Sequence, residues 1–489
     1  MIAAIFCALS FASAHHALSN VAAWEQAAFD RGLTLYYAYN GAQGVRVFQA
    51  AVDRDPKFAM AYWGLALSYG PDINSDPTED HFNRAHSAIE KAASLESSVS
   101  APERTYIEAM RARYAGPWRD HATAESAYRA AMAKAVARYP ADDDLASLYA
   151  EALLEKTGAL AWKSGTNLPL SSDTLTMAAL LARIVARSPE QLMANHLLIH
   201  LYGSAADQSK AIPAAKKLDN MNFAPEDEHL AHMPAHTWVR VGNYADAVSS
   251  SKRAIALFDE YLAQANADRT HRGYLAHDIE IGWGAALMLG SYTGAKWFAN
   301  RLDTLEDTTE ATRITALRFN DLKSLDAFAN DAGASKEERA IFSGYAAALR
   351  GENNAANTAF NAVLMPQEKS PIVWAMAGRT KLLNGNHAAA QNDFHKAQGL
   401  EEERYFGENL PHIPVGEIEG FSYYRIGDYP TAEKIFRRTL NDFPNDPRAL
   451  YGLSLTLQKA GHNAEAQRVA ANFRRLWEGA DTTLSAATL

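Results

Sequence analysis

Along most of the chain, apolar residues recur at three- and four-residue intervals with small residues between them, a spacing that predicts amphipathic α-helices. The helices come in pairs. From residue 25, Gly32, Leu35, Gly44, Phe48, Ala51 and Pro56 fall at positions 8, 11, 20, 24, 27 and 32 of a 34-residue unit. That is the small-and-aromatic pattern of two antiparallel helices closed by a proline. Pro56 sets the next unit at 59, where MAYWGLALSYG follows. Met132, Ala135 and Pro140 close another unit, and Pro189 a further one after the looser connection KSGTNLPLSSD at 163–173. Gly242-Asn243-Tyr244 with Ala247, Gly290-Ser291-Tyr292 with Ala295, and Gly427-Asp428-Tyr429 with Ala432 repeat one inter-helix turn. Gly385-Asn386-His387 with Ala390 and Gly461-His462-Asn463 with Ala466 are looser copies, and Pro444 closes a unit begun at 413 and opens the last at 447. The expected fold is an all-α superhelical solenoid of about ten helix pairs. Residues 15–334 form one superhelical arm with a concave groove, 335–478 hold the C-terminal repeats, and 479–489 form a frayed tail.

Charge narrows the partners. The 489 residues carry a net charge of −10 with no cluster of Lys and Arg, so nucleic acid and anionic membrane surfaces are not expected partners. No apolar run approaches the roughly 20 residues of a membrane span. At the N-terminus IAAIFCALSFA is apolar and Ala12-Ser13-Ala14 has the small-x-small form that precedes signal-peptidase cleavage, although no Lys or Arg stands ahead of it. This predicts a signal peptide over 1–14 and a secreted or periplasmic protein, with a cytoplasmic one as the alternative. The single cysteine, Cys7, leaves with that segment, removing disulfides and thiolate ligands from the mature chain. His15 would then start the chain with an amine and an imidazole, a copper-chelating pair.

Histidine changes the picture most. Five of the sixteen histidines lie within 196–236, as NHLLIH and HLAHMPAHTWVR. His196/His200 and His232/His236 share i, i+4 spacing, and each lies 36 residues from its counterpart (232 − 196, 236 − 200). In such repeats positions 2, 5, 9 and 13 of the first helix line the concave surface. Pro189 places His196 and His200 at 5 and 9 of a unit starting at 192. Gly242 places His229, His232, His236 and Arg240 at 2, 5, 9 and 13 of one starting at 228, and Gly290 places His277 and Glu280 at 2 and 5 of one starting at 276. Imidazoles gathered in a groove repel one another when protonated and are costly to bury without partners. A transition metal sharing their lone pairs removes both problems. His196, His200, His229, His232, His236 and His277 are therefore the candidate metal ligands. Without thiolates the expected ion is copper or zinc, ahead of iron. The H-E-x-x-H signature of zinc proteases is absent, and so are phosphate loops, G-x-S-x-G elbows and Cys-His nucleophile arrangements.

His229-Leu-Ala-His232-Met233-Pro234-Ala235-His236, followed by Arg240-Val241-Gly242-x-Tyr244, resembles a family of bacterial tetratricopeptide-repeat proteins with an H-x-x-H-M-P-[AS]-H block. MAYWGLALSYGPDIN at 60–74, LYAEALL at 148–154, HLLIH at 196–200 and HDIE at 277–280 resemble that family's blocks in the same order. The resemblance implies the repeat fold and the site's location rather than a reaction. The chain departs from it twice. His277-Asp278-Ile279-Glu280 stands where H-N-x-H is expected, and Tyr39-Asn40-Gly41 where F-N-H is expected. A glutamate can replace a histidine ligand; a glycine at 41 cannot.

The first expectation is thus an exported metalloprotein, with metal-dependent oxidoreductase chemistry ahead of hydrolase chemistry. In that role Arg240 would hold an anionic substrate group, and Glu280 or Glu151 (position 9 of a unit starting at 143) would move protons. The second expectation is an interaction scaffold whose groove binds a peptide or partner, or a small molecule. Pro71-Asp72-Ile73-Asn74 reads as a capped turn, Arg404, Tyr405 and Glu408 as an inter-repeat loop able to close over the groove, and His15, His16, His81, His86 and His121 as exposed and scattered.

Overall fold

The computed structural model describes residues 11–76, 78–158, 160–163, 166–264, 267, 272–364, 368–404 and 413–485. Cys7 with the first ten residues, Tyr405 and Glu408, and the last four residues of the expected tail lie outside the described residues. Those described divide into two compact units, Met1–Thr237 with Arg253–Leu275, and Trp238–Lys252 with Ala276–Leu489.

The first unit is built from successive helix pairs. Ala23–Tyr37 (α1) precedes Gly41–Arg54 (α2), Ala59–Ser68 (α3) precedes Glu79–Ser94 (α4), and Ala101–Arg113 (α5) precedes His121–Arg138 (α6). Asp143–Glu155 (α7) and Ser172–Arg187 (α8) follow, then Leu192–Gly203 (α9) and Ile212–Asp219 (α10). Glu228–Arg240 (α11), Tyr244–Leu262 (α12) and Arg272–Leu289 (α13) each contribute residues to both units. The second unit continues with Tyr292–Glu306 (α14), Glu310–Arg318 (α15), Leu322–Ala329 (α16), Lys336–Arg350 (α17) and Asn353–Asn361 (α18). It ends with Pro371–Leu383 (α19), His387–Arg404 (α20), Val415–Arg425 (α21), Tyr429–Asp442 (α22), Pro447–Lys459 (α23) and Asn463–Leu476 (α24). Twenty-four α-helices and no strand ladder among the described residues make an all-α tetratricopeptide-type repeat fold. Taken in order, the twenty-four helices of the described residues make twelve successive pairs, in keeping with the about ten expected. No described helix is long and apolar enough to cross a membrane.

One contact explains why the repeat has its sequence. Phe48 is fully buried, and a Cβ built on Gly32 or Gly64 would lie 2.4 Å or 2.3 Å from its ring. Only hydrogen at those two positions lets α1 and α3 close on the aromatic ring of α2. The spacing of 16 residues (48 − 32) recurs within the second unit at Gly282–Phe298, Gly344–Phe360 and Gly420–Phe436. Turn glycines Gly242, Gly290, Gly351, Gly385, Gly427 and Gly461 all have positive φ, the left-handed conformation that ends a helix before an antiparallel partner.

The stretch ahead of α1 is packed rather than loose. The Ala12 amide donates to the Asn222 carbonyl at 2.6 Å, and the amide of buried Ala14 donates to the Thr34 hydroxyl at 2.9 Å. His16 joins this packing.

Candidate functional site

α9 is buried on every side from Leu192 to Leu201, so its histidines are core residues rather than groove residues open to solvent. The Gln191 side chain caps α9 by accepting from the Ala194 amide, which fixes where the first turn starts. His196 and His200 then face the same way one turn apart. In α11, Pro234 lies inside the helix and has no N–H to give the carbonyl four residues back. The next carbonyl, of Ala231, accepts from Arg253 at 3.2 Å.

His196, His200, His229, His232 and His236 are all buried, between 0% and 5% exposed. The His196 Nδ1 lies 2.8 Å from the Tyr37 carbonyl oxygen at the end of α1. A carbonyl only accepts, so Nδ1 carries the proton and the Nε2 lone pair points away from it. That Nε2 faces His200 Nε2 at 3.1 Å, and His232 Nε2 faces His236 Nε2 at 2.9 Å. Two nitrogens on one metal at 2.0–2.1 Å stand about 2.9 Å apart at a right angle and about 3.3 Å apart at the tetrahedral angle. Both pairs have that separation.

His229 joins the first pair. Donor atoms of His196, His200 and His229 all lie within 4.8 Å of one another. Ring centroids of His229 are 5.0 Å from His196, 6.5 Å from His200 and 6.2 Å from His232. Neither ring nitrogen of His229 has a hydrogen-bond partner among the described residues, although the residue is only 3% exposed. Tyr39 packs across the set, 4.4 Å from His196 and 5.3 Å from His229 by ring centroids, and Tyr274 lies 5.1 Å from His229.

Burial disfavours charge on four of these imidazoles. Burial first, and then the neighbouring imidazoles, hold His196, His229 and His236 well below the usual histidine range. Burial alone pushes His232 down to about 3. Neutral imidazoles are the protonation state a metal requires.

The carboxylates sort differently. Glu151 is buried in α7 and its Oε2 accepts from the Tyr36 hydroxyl at 2.7 Å. Burial, then the charge of Glu155, lifts its carboxyl well above the carboxylate range. Glu155 is pushed up to about 7 by burial, against the pull of Arg113, which it meets at 2.7 Å. Among the described residues Glu151 makes no hydrogen bond to an imidazole; its partner Tyr36 precedes Tyr37, whose carbonyl holds His196. Arg240, His277 and Glu280 belong to the second unit, where Glu280 is exposed. The first unit's imidazoles form a donor set on their own.

One sequence reading needs revision. His16 is not a stray exposed residue: its Nδ1 lies 2.9 Å from Asp144 Oδ2, and Asp144 also accepts from the Tyr37 hydroxyl at 2.7 Å. Only its distance in sequence from Asp144 hid it. Gly41 cannot be a histidine on this backbone, because a Cβ there would lie 2.9 Å from the Ser68 carbonyl oxygen. Tyr39, at φ 55°, packs on the imidazoles two residues earlier; a bulky residue at positive φ is costly and its position is fixed by its surroundings.

No protein-family description matches the chain, and no curated protein does. Solved repeat proteins share only remote similarity. A tetratricopeptide repeat protein from Parabacteroides merdae matches at 13% identity and a TM-score of 0.32, over 63% of this chain and 98% of that one. The APC/C hetero-tetramer Cut9–Hcn1 matches at 10% and 0.33, over 79% and 81%. The human IFIT1 dimer with m7Gppp-AAAA matches at 14% and 0.31, over 91% and 90%.

Proposed function

We propose that the first unit binds one transition-metal ion on His196, His200 and His229, with His232 and His236 as a second donor pair beside it. The observation that carries this is His229, a buried imidazole with two nitrogens lacking hydrogen bonds, aimed among two others. Leaving such a group unsatisfied costs about 1–3 kcal/mol, and a metal would satisfy it. All-nitrogen donors favour copper or zinc over softer choices. Three protein ligands leave a fourth position at which a bound metal can acidify water or meet a small substrate. If the ion is catalytic, Glu151, whose raised carboxyl accepts from the Tyr36 hydroxyl, would be the group to hold a proton.

Redox chemistry remains the preferred assignment over hydrolysis, on the copper-suited imidazole set. The rival reading, a scaffold that recognises a peptide through these histidines, is disfavoured because rings at most 5% exposed offer a peptide almost no surface. Export belongs to the same proposal. Cleavage after Ala14 would expose the His15 amine, whose ring meets Asp30 at 2.7 Å. Metal analysis of purified wild type and of a His196→Ala/His229→Ala variant tests the reading: about one bound equivalent, lost in the variant, is expected.

A further inference from the structure

The second unit holds a separate small cavity of about 70 Å³ that opens to solvent. First helices of successive pairs line it. Its charged lining consists of Arg318 from α15, Arg379 from α19, Arg448 from α23 and a single carboxylate, Glu417 from α21. The rest includes Leu317, Met376, Ile413 and Phe421, an apolar wall.

Glu417 is already committed. Arg318 grips it with two nitrogens, one at 3.0 Å. Asp446 caps α23, accepting from the Arg448 and Ala449 amides at 2.9 Å and 3.2 Å. Burial, then the charge of Glu417, lifts the Asp446 carboxyl well above its usual range. It adds little fixed negative charge. Arg448 gives one nitrogen to the Arg318 carbonyl at 2.8 Å, while its Nε has no hydrogen-bond partner among the described residues. Arg448 is 7% and Arg379 5% exposed. Burial, then the Arg318 charge, pulls Arg448 down to about 9 against the opposing pull of Glu417 and Asp446, and burial with the Arg425 charge pulls Arg379 down to about 10. Three guanidiniums thus line the cavity beside one carboxylate, which Arg318 already holds, and the planar fork suits a further carboxylate.

We propose that this cavity binds a free carboxylate carried on an apolar body, with Arg448 and Arg379 gripping the oxygens and the Leu317–Phe421 wall covering the rest. The site is independent of the histidine cluster. It can take its carboxylate from a small organic acid or from the end of a peptide chain.

Calorimetry on the full chain tests this with phenylbutanoate against phenylbutanol, and with a short peptide ending in a phenylalanine carboxylate against its amide. Saturable binding of phenylbutanoate or the peptide acid is expected, at least about tenfold weaker for the neutral counterpart and for Arg379→Gln or Arg448→Met. Binding of the organic acid alone identifies a small-molecule source, and binding of the peptide acid identifies chain termini. Absence of binding by either acid overturns the proposal. So does equal affinity for the neutral counterparts, or a folded variant that binds like wild type. If Arg448→Met does not fold, Arg379→Gln and the acid–alcohol comparison on wild type decide.

Discussion

Replacing His229 with leucine separates the metal reading from ordinary core packing. In the metal-free protein His229 buries two ring nitrogens without hydrogen bonds. Removing that orphaned polarity returns about 1–3 kcal/mol, and an apolar replacement of similar volume costs less than about 1.5 kcal/mol in packing. The chelator-treated variant should therefore melt at the wild-type temperature or a few degrees above it. With metal the order reverses. Copper or zinc at a thousand times its Kd stabilises wild type by about 4 kcal/mol. For a unit of this size that is a rise of roughly 8–16 °C at about 2–4 °C per kcal/mol, and His229→Leu should lose most of it. Thermal melts followed by circular dichroism, with EDTA and with each ion, read both effects. A variant several degrees less stable than wild type without metal, yet raised equally by metal, would refute the reasoning.

Other predictions rest on separate observations. Gly32→Ala puts a Cβ 2.4 Å from the Phe48 ring and should cost about 1–3 kcal/mol in chemical denaturation; Phe48→Leu in the same chain should recover part of it. Glu155, pushed up to about 7, binds its proton more tightly folded than unfolded. Its contribution is therefore full below the usual carboxylate pKa and is lost as pH rises toward about 7. Glu155→Gln should flatten the stability profile over that window, measured by urea titration at each pH. Asp144→Asn replaces the carboxyl partner of His16 and weakens the acceptor of the Tyr37 hydroxyl. Limited proteolysis should then cut ahead of α1 faster than in wild type, with the helix core unchanged.

How much was legible depended on whether the determining contact was local. The turn glycines were visible because a left-handed residue between antiparallel helices leaves a fixed mark, and each one named from sequence has positive φ. Two pairs were missed where that mark changes. Between α15 and α16 the left-handed position is Asn320 at φ 55°, not glycine, and asparagine substitutes there through its local hydrogen bonding. Between α17 and α18, Gly351 is followed by Glu352-Asn353, without the tyrosine found at 244, 292 and 429. The 16-residue glycine–phenylalanine spacing was readable but unnoticed, and at Gly282 it sets a register one residue from that given by Gly290 (290 − 282 = 8, against 427 − 420 = 7). In the site, the helical period paired His196 with His200 and His232 with His236. The Tyr37 carbonyl that sets the His196 proton lies 159 residues away, and no periodicity encodes it. Burial was also invisible: positions expected to line an open groove are enclosed, because α9 is covered on all sides.

Metal content by mass spectrometry, on untagged protein dialysed against trace copper, zinc and iron, addresses the central claim most directly. Wild type should retain about one tightly held equivalent, and His196→Ala/His229→Ala should retain none while its helix content is unchanged. Wild type without metal after that dialysis, or a folded variant that keeps the ion, would contradict a metal held by His196, His200 and His229.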